Sequence, residues 1–309
     1  MMLRGSIRHN TRIRFVIAAL VTSLALLAAA SSGVASDDPP EPETTTTEPA
    51  GPRSDATGDL ESLVARLRQN ADEFAYTVGS HGGGLTVVTI SEPLTFNLAV
   101  SNDAGSSSVL GYLFEGLTET SWLTDEVEPA LAESWESSED GLTWTFHLRR
   151  DVRWHDGEPF RARDVDFTFN RIIYNDEIPS SARSTFEFRH FEDGSWQTDR
   201  MTVAALDDHT VQITLPVPFA PFLRTLGTAI YPAHLLARHV DDGTFVSTWD
   251  IDTDPTQIVG TGPFTIASYE PGAQLVLHRN PDYWLTDAAG NRLPYLDEIT
   301  RVIVEDLEA

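Results

Sequence analysis

The 309-residue chain contains no cysteine and no lysine. Without cysteine it can form no disulfide and no thiolate site, and no lipid can be attached through a thiol. Its 21 basic residues, all arginine, stand against 47 acidic ones and leave a net charge of −26. Such a surface repels nucleic acid and anionic lipid, so we expect neither as a partner. Hydrophobic residues make up 41% of the chain, enough for a core that holds by packing alone.

The common catalytic and metal-binding signatures are also missing. The chain has no G-x-S-x-G and no H-E-x-x-H motif. His234 and His239 are five residues apart, a poor spacing for one helical face, and no acid lies between them at metal-ligand spacing. His155-Asp156 offers an acid–base pair, but adjacent residues rarely face each other, and Asp156-Gly157 is typical of a turn. We therefore predict no catalytic residue, no metal and no cofactor.

The N-terminal region has the organisation of an export signal followed by a spacer. Four arginines precede an apolar run over residues 15–30, and the small residues 34–36 fit a cleavage site, so we assign residues 1–36 to a signal peptide. Cleavage and retention as an anchor both stay open. Residues 37–58 are rich in Pro, Thr and acid, which predicts a disordered, self-repelling spacer.

The next stretch alternates short predicted elements. Residues 59–74 carry an apolar face at helical spacing, and Gly82-Gly83-Gly84 predicts a flexible joint after this helix, so residues 59–83 form one unit. The β-branched residues 85–90 predict a buried strand. Residues 96–108, mostly small and polar, predict a loop, and the apolar residues 109–117 follow it.

Residues 140–173 carry the strongest local pattern in the chain. Apolar and polar residues alternate over residues 142–148, which predicts a strand with one buried face. A turn at Asp156-Gly157 follows, and from Ala162 the apolar positions recur at helical spacing. This face comprises Val165, Phe169, Ile172 and Ile173. Residues 140–173 are therefore predicted to form a strand, a turn and an amphipathic helix.

The rest of the chain is predicted as hairpins and short helices. We expect strands at residues 202–205 and 210–215, then a short helix ending at Leu226 and another over residues 233–240. The final predicted strands are residues 264–270, 275–279 and 299–304, the first two joined by a Pro-Gly turn.

Five motifs, in order and at matching spacings, give the chain a family resemblance. They are GYLFEGL at residues 111–117, EPALAESW at 128–135, GTGPF at 260–264, RNPDYW at 279–284 and LPYLD at 293–297. From about residue 84 to residue 309 the chain resembles the bacterial extracellular solute-binding proteins of family 5, which feed peptide and nickel ABC importers. Many of these carry a lipid-anchoring cysteine after the signal, which this chain lacks.

The resemblance implies an α/β fold of the periplasmic-binding-protein type, class II, as found in peptide binders. Residues 84–309 would form the first lobe. Its sheet subdomain would comprise residues 84–117 and 257–309, and a smaller αβ subdomain, residues 118–256, would be inserted between them. By the family's pattern a second lobe should follow and is missing, so we expect a C-terminally truncated chain. Whether it is a fragment or a short gene product stays open.

The same resemblance implies a non-catalytic protein that binds a solute outside the cytoplasm, in the periplasm or beyond it. A peptide is the expected ligand, and ABC-transporter permease subunits are the expected partners of a monomer. The membrane would be contacted only through the transporter or an uncleaved anchor. The alternatives are a secreted hydrolase and a surface-tethered sensor or chaperone on the same fold.

The family resemblance also implies which residues bind the ligand, by their position relative to the motifs. Counting back from Leu113, the segment that lies against the ligand in peptide-binding relatives matches Asn102, Asp103, Ala104 and Gly105, and Thr261 occupies the GTGP turn. The alternative is an ordinary connecting loop and a structural turn. Because such a cleft needs two opposing walls, we predict that the 309-residue chain by itself binds peptide weakly or not at all.

Overall fold

A computed structural model describes residues 78–121 and 124–306. The predicted signal peptide, spacer and helix at residues 59–74 lie outside these residues. Among the described helices, none has the length and apolar character needed to cross a membrane.

Within the described residues the chain forms twelve strands and four α-helices, joined by turns and single helical turns. The strands are β1 (Gly84–Thr89), β2 (Thr118–Thr120), β3 (Val127–Pro129), β4 (Ala132–Ser137), β5 (Thr143–Leu148), β6 (Glu187–Glu192), β7 (Ser195–Arg200), β8 (Thr202–Asp207), β9 (Thr210–Thr214), β10 (Phe264–Glu270), β11 (Gln274–Arg279) and β12 (Glu298–Ile303). The helices are α1 (Ala104–Leu110), α2 (Ala162–Phe167), α3 (Phe222–Thr225) and α4 (Ala233–Asp241).

The first sheet has the order β1-β12-β11-β10. β1 runs parallel to β12, whereas β11 runs antiparallel to both β12 and β10. Leu277 of β11 lies opposite Ile299 of β12, and both side chains are buried. The three strands predicted in this part of the chain are confirmed, and so is the turn that joins β10 to β11, where Gly272 has a φ of +71°.

The strand predicted at residues 85–90 is confirmed as β1, but the prediction that it is buried is wrong. Leu85 and Val87 are half-buried, while Val88 is 53% exposed and Ile90 is 56% exposed. The reason is position in the sheet: among the described residues, β1 pairs with a strand on one side only, and it packs one face on the core. A β-branched run predicts a strand well, but it does not distinguish a central strand from an edge strand.

The second sheet has the order β4-β5-β9-β8 and is antiparallel throughout. The alternating pattern at residues 142–148 is confirmed as β5, whose Phe146 and Leu148 are fully buried. The predicted hairpin is confirmed as β8 and β9. Two-stranded sheets, β2-β3 and β6-β7, complete the architecture of the described residues.

The predicted amphipathic helix begins at Ala162 as α2 and continues as a wider π-helical turn, Thr168–Ile173. All four positions of its predicted apolar face are buried. Asp164, with no exposed surface, joins this helix to α4: its carboxylate accepts hydrogen bonds from the backbone N–H of Arg161 at 2.9 Å and of Ala233 at 3.1 Å. One buried acid therefore fixes the start of both helices. The predicted helices at residues 233–240 and before Leu226 are confirmed as α4 and α3.

The loop prediction for residues 96–108 is wrong from Ala104 onward, because α1 begins there. Asp103 is the N-cap, and its Oδ1 accepts a hydrogen bond from the backbone N–H of Ser106 at 2.6 Å. Ser106 is fully buried, and its hydroxyl oxygen in turn accepts the backbone N–H groups of Leu94 and Thr95. Serine and glycine favour turns in isolation, but here these tertiary hydrogen bonds hold a short helix.

Two apolar clusters form the core. One gathers the second sheet and α2, and it also takes Tyr283 and Trp284 from the chain after β11. The other gathers α1 and the first sheet, and it also takes Phe167, Tyr231 and Trp249 from the predicted insertion. Side chains from both sequence regions thus share each cluster. The division into residues 84–117 with 257–309 and residues 118–256 stays a prediction.

Candidate functional site

The predicted ligand segment, Asn102 to Gly105, forms the N-terminal turn of α1. Asn102 and Ala104 are exposed, whereas Gly105 is buried. Asp103 Oδ2 accepts a hydrogen bond from the Ser101 hydroxyl at 3.1 Å, while its Oδ1 caps the helix. Half of the predicted segment therefore builds the turn, and the other half faces solvent.

Gly105 is required for packing. A Cβ at this position would collide with the carbonyl oxygen of Glu92, so no larger residue fits without a backbone shift. The close approach of these two backbones holds the start of α1 against the segment that leaves β1. This contact gives the predicted segment a fixed shape.

A cavity of about 210 Å³ adjoins this segment. Ser101 and Ser107, on either side of the predicted residues, contribute to its wall. The opposite wall comes from residues 180–182 and from residues 228–231, which precede α4. Sequence reasoning missed both of these regions, because nothing in their local pattern indicates that they approach α1.

Thr261 lies in a turn that packs against the end of α1. The backbone N–H of Gly262 donates to the carbonyl oxygen of Leu113 at 2.8 Å. A Cβ on Gly260 or Gly262 would collide with the carbonyl oxygen of Leu113 or of Tyr112 respectively. The glycines in this motif therefore serve close backbone approach, and Gly262 is not among the glycines with positive φ.

His155 fixes the same turn from the other side. Its Nδ1 accepts the backbone N–H of Gly260 at 3.1 Å, and its Nε2 donates to the carbonyl oxygen of Gly262 at 3.0 Å. Burial lowers the pKa of His155 to about 4, so the ring is neutral near pH 7 and this donor–acceptor pattern fixes its tautomer. His155 is thus part of the scaffold around Thr261.

Thr261 also belongs to a buried polar cluster centred on Glu115. Tyr283 Oη donates to Glu115 Oε1 at 2.7 Å, Trp284 Nε1 lies 3.2 Å from both carboxyl oxygens, and the Thr261 side chain hydrogen-bonds to the same group. Burial outweighs these donors and raises the pKa of Glu115 to about 7. Sequence reasoning missed this cluster, although an acid inside the apolar run 109–117 was a usable signal.

The structure therefore does not gather all five predicted residues at one point. Asn102 to Gly105 lie at the N-terminal end of α1, whereas Thr261 lies beyond its C-terminal end. A seven-residue helix rises about 10 Å, so the two groups lie about that far apart along one helix. Their role in ligand binding stays a prediction.

Asp156 is not paired with His155. Its Oδ2 lies 2.7 Å from Nε2 of His234, the first-turn histidine of α4, and Gly157 has a φ of +89° in the predicted turn. The turn prediction is confirmed, and the pair joins that turn to α4. Among residues 78–121 and 124–306, no group of three or more His, Asp or Glu side chains is placed to hold a metal ion.

The chain is similar in sequence to a known family and to several of its members. Residues 126–309 match the family described as "Bacterial extracellular solute-binding proteins, family 5 Middle". Di/tripeptide-binding protein 1 of Pseudomonas aeruginosa is 34% identical over 205 residues, which cover 63% of this chain and 36% of that protein. The dipeptide-binding protein of Escherichia coli is 33% identical over 247 residues, 75% of this chain and 43% of that protein.

Solved structures agree with the sequence relatives. The oligopeptide-binding protein AppA of Bacillus subtilis, in complex with a nonapeptide, superposes with a TM-score of 0.59 at 27% identity, covering 74% of this chain and 41% of that one. MelB of Agrobacterium fabrum, in complex with stachyose, gives a TM-score of 0.61 at 26% identity, covering 74% of this chain and 35% of that one.

The chain thus spans well under half the length of the relatives it matches. Its mixed α/β fold is that of the periplasmic binding proteins of the peptide-binding type. These relatives are binding proteins by name. Because the family match covers more than half of the sequence, the chain belongs to the bacterial extracellular solute-binding proteins of family 5.

Proposed function

We propose that the chain is the solute-binding component of an ABC import system and that it binds a peptide without chemical change. The observation that supports this most is the cavity beside Asn102 to Gly105, in a chain whose relatives include di-, tri- and oligopeptide-binding proteins. Asn102 and Ala104, which are exposed, would contact the ligand, while Asp103 and Gly105 shape the turn. Thr261, buried beside Glu115 beyond the far end of α1, would support the site from within the protein.

Delivery to a membrane permease completes the proposal. Residues 1–36 would direct the chain out of the cytoplasm, either by cleavage or as a retained anchor, and the monomer would dock on permease subunits. The family's extracellular character supports this location. N-terminal sequencing of the exported protein distinguishes cleavage, which yields a start near residue 37, from an anchored chain that keeps its first residue.

The size of the cavity sets the expected affinity. Sites that enclose a whole small ligand measure roughly 300 to 1,000 Å³. At about 210 Å³, the cavity accommodates only part of a peptide. We therefore expect the 309-residue chain to bind tri-alanine with a millimolar Kd, followed by amide chemical shifts in a titration of the ¹⁵N-labelled protein.

The shifts should concentrate at residues 101–107. Asn102→Ala should weaken binding several-fold, whereas Gln197→Ala, at an exposed position in the β6-β7 hairpin, should leave it unchanged. Absence of shifts at millimolar peptide would contradict the proposal that this cavity takes part of a peptide. Micromolar binding in calorimetry would contradict the expectation that the cavity takes only part of the ligand.

A further inference from the structure

The cavity beside α1 is walled by hydroxyl groups and apolar side chains, and no charged side chain lines it. We propose that this cavity is a subsite for one uncharged hydrogen-bond-donating group of the solute, a hydroxyl or a carboxamide. The inference deepens the proposed solute-binding function and rests on it.

Four hydroxyl groups of the cavity wall already donate their protons inside the protein. The hydroxyls of Ser107, Ser181 and Thr228 donate to the backbone carbonyl oxygens of Asp103, Ala99 and Thr225, at 2.9, 3.3 and 2.9 Å. The Ser101 hydroxyl donates to the Asp103 carboxylate at 3.1 Å. A hydroxyl has one proton and two lone pairs. With those four protons engaged inside the protein, these groups can offer a bound solute only acceptor oxygens.

Ser180 differs from these four residues, because its hydroxyl is not engaged within the described part of the chain. It lines the cavity, and its Oγ is buried without a hydrogen-bond partner among the described residues. A buried polar atom without a partner carries a desolvation cost, which a bound polar group would relieve. Unlike those four hydroxyls, Ser180 can both donate to and accept from the solute.

Charge decides which polar group fits. A carboxylate would gain no cationic side chain among the residues that line the cavity, in a protein whose net charge is −26, so it is disfavoured. An ammonium would lose water without gaining a carboxylate, because none lines the cavity. A neutral donor has neither cost. The volume of about 210 Å³ limits the occupant to one side chain or one sugar-ring edge.

The experiment ranks tripeptides that differ in one side chain. Ala-Ser-Ala, Ala-Asn-Ala, Ala-Asp-Ala, Ala-Lys-Ala and Ala-Ala-Ala are titrated into the ¹⁵N-labelled chain, and methyl α-galactoside is added as a non-peptide source of hydroxyls. We expect the Ser and Asn peptides to bind about five-fold more tightly than the Ala peptide for each hydrogen bond gained, and the Asp and Lys peptides to bind no better than it.

Two test variants and one control locate the effect. Thr228→Val keeps the shape and removes an acceptor oxygen, so it should abolish much of the preference for Ser and Asn. Thr225→Val is the matched control, because the Thr225 hydroxyl also donates to a carbonyl three residues earlier, at 2.7 Å, and does not line the cavity. Ser180→Ala should reduce the preference without lowering the thermal stability, since its hydroxyl has no partner to lose among the described residues.

The outcomes distinguish the subsite from the peptide assignment. Equal affinity for all five peptides, or an equal effect of the two threonine variants, would overturn the subsite while leaving peptide binding in place. Binding of methyl α-galactoside with no binding of any peptide would support the subsite and overturn the peptide assignment. Tighter binding of the Asp or Lys peptide than of the Ser peptide would overturn the neutral selectivity, and no shift with any probe would overturn both proposals.

Discussion

At the scale of single residues, Glu115 and His155 show how buried titratable groups hold the turn around Thr261. The carboxyl group has three hydrogen-bonding partners, and the imidazole bonds to the backbone on both sides of Thr261. Burial moves the two pKa values in opposite directions, to about 7 and about 4, because it favours the neutral form of each group. Between about pH 4 and pH 7, a neutral acid and a neutral base therefore meet at one turn.

The raised pKa of Glu115 predicts a pH-dependent stability. The unfolded carboxyl releases its proton near pH 4.5, but the folded one keeps it to about pH 7. Between these values the unfolded chain binds fewer protons, so the free energy of unfolding falls as pH rises. A rise in this pKa from 4.5 to about 7 corresponds to a fall of about 3 kcal/mol.

Glu115→Gln replaces the titrating carboxyl group with an amide that stays neutral. Urea unfolding measures the free energy of unfolding of both proteins from pH 4.5 to pH 7. Over this range the wild type should lose up to about 3 kcal/mol relative to Glu115→Gln, so the variant gains relative stability at pH 7. Glu139→Gln, which replaces an exposed carboxylate, is the control and should follow the wild type. Parallel curves for wild type and Glu115→Gln would contradict a folded-state pKa near 7.

At the scale of elements, α1 depends on its cap more than on its composition. Its seven residues include three serines and a glycine, which are poor helix formers, and a helix this short is not stable by itself. What fixes it is the Asp103 carboxylate at its start and the buried face of Val109 and Leu110. The same carboxylate accepts the Ser101 hydroxyl on the cavity wall, so capping and cavity shape are joined.

Substitution of Asp103 tests this dependence. Asp103→Ala should lower the free energy of unfolding by about 1 kcal/mol, as loss of an N-cap does, whereas Asp103→Asn retains a capping oxygen and should cost a few tenths. Urea denaturation measures both. The alanine variant should also weaken tri-alanine binding, because the turn at Asn102 loses its anchor. Equal stability of the two variants would show that α1 does not need the cap.

At the scale of the whole molecule, the acidic surface dominates the electrostatics. A net charge of −26 on 309 residues repels itself, and this repulsion destabilises the compact state. Salt screens charges over about 10 Å at 0.1 M ionic strength, so the thermal midpoint should rise as NaCl is added from low concentration. Differential scanning fluorimetry measures it. A midpoint that falls or stays constant would show that attractive surface pairs outweigh the repulsion.

The sequence by itself determined most of the secondary structure. The strands β5 and β8 to β12 and the helices α2 to α4 follow from apolar periodicity and from proline and glycine turns, which act over a few residues. The alternation that gives β5 one buried face is visible in the printed letters. The five ordered motifs determined the family, because motif order is a property of the chain itself.

Only the tertiary structure decided the burial of β1, the helix at residues 104–110 and the cavity. Each depends on groups far apart in sequence: β1 on having one partner strand, α1 on the Leu94 and Thr95 backbone, and the cavity on residues 228–231 facing residues 98–107. The buried pairing of Glu115 with Tyr283 spans 168 positions. Local patterns record short-range preferences, whereas burial and hydrogen-bond partners across such separations are set by how the whole chain packs.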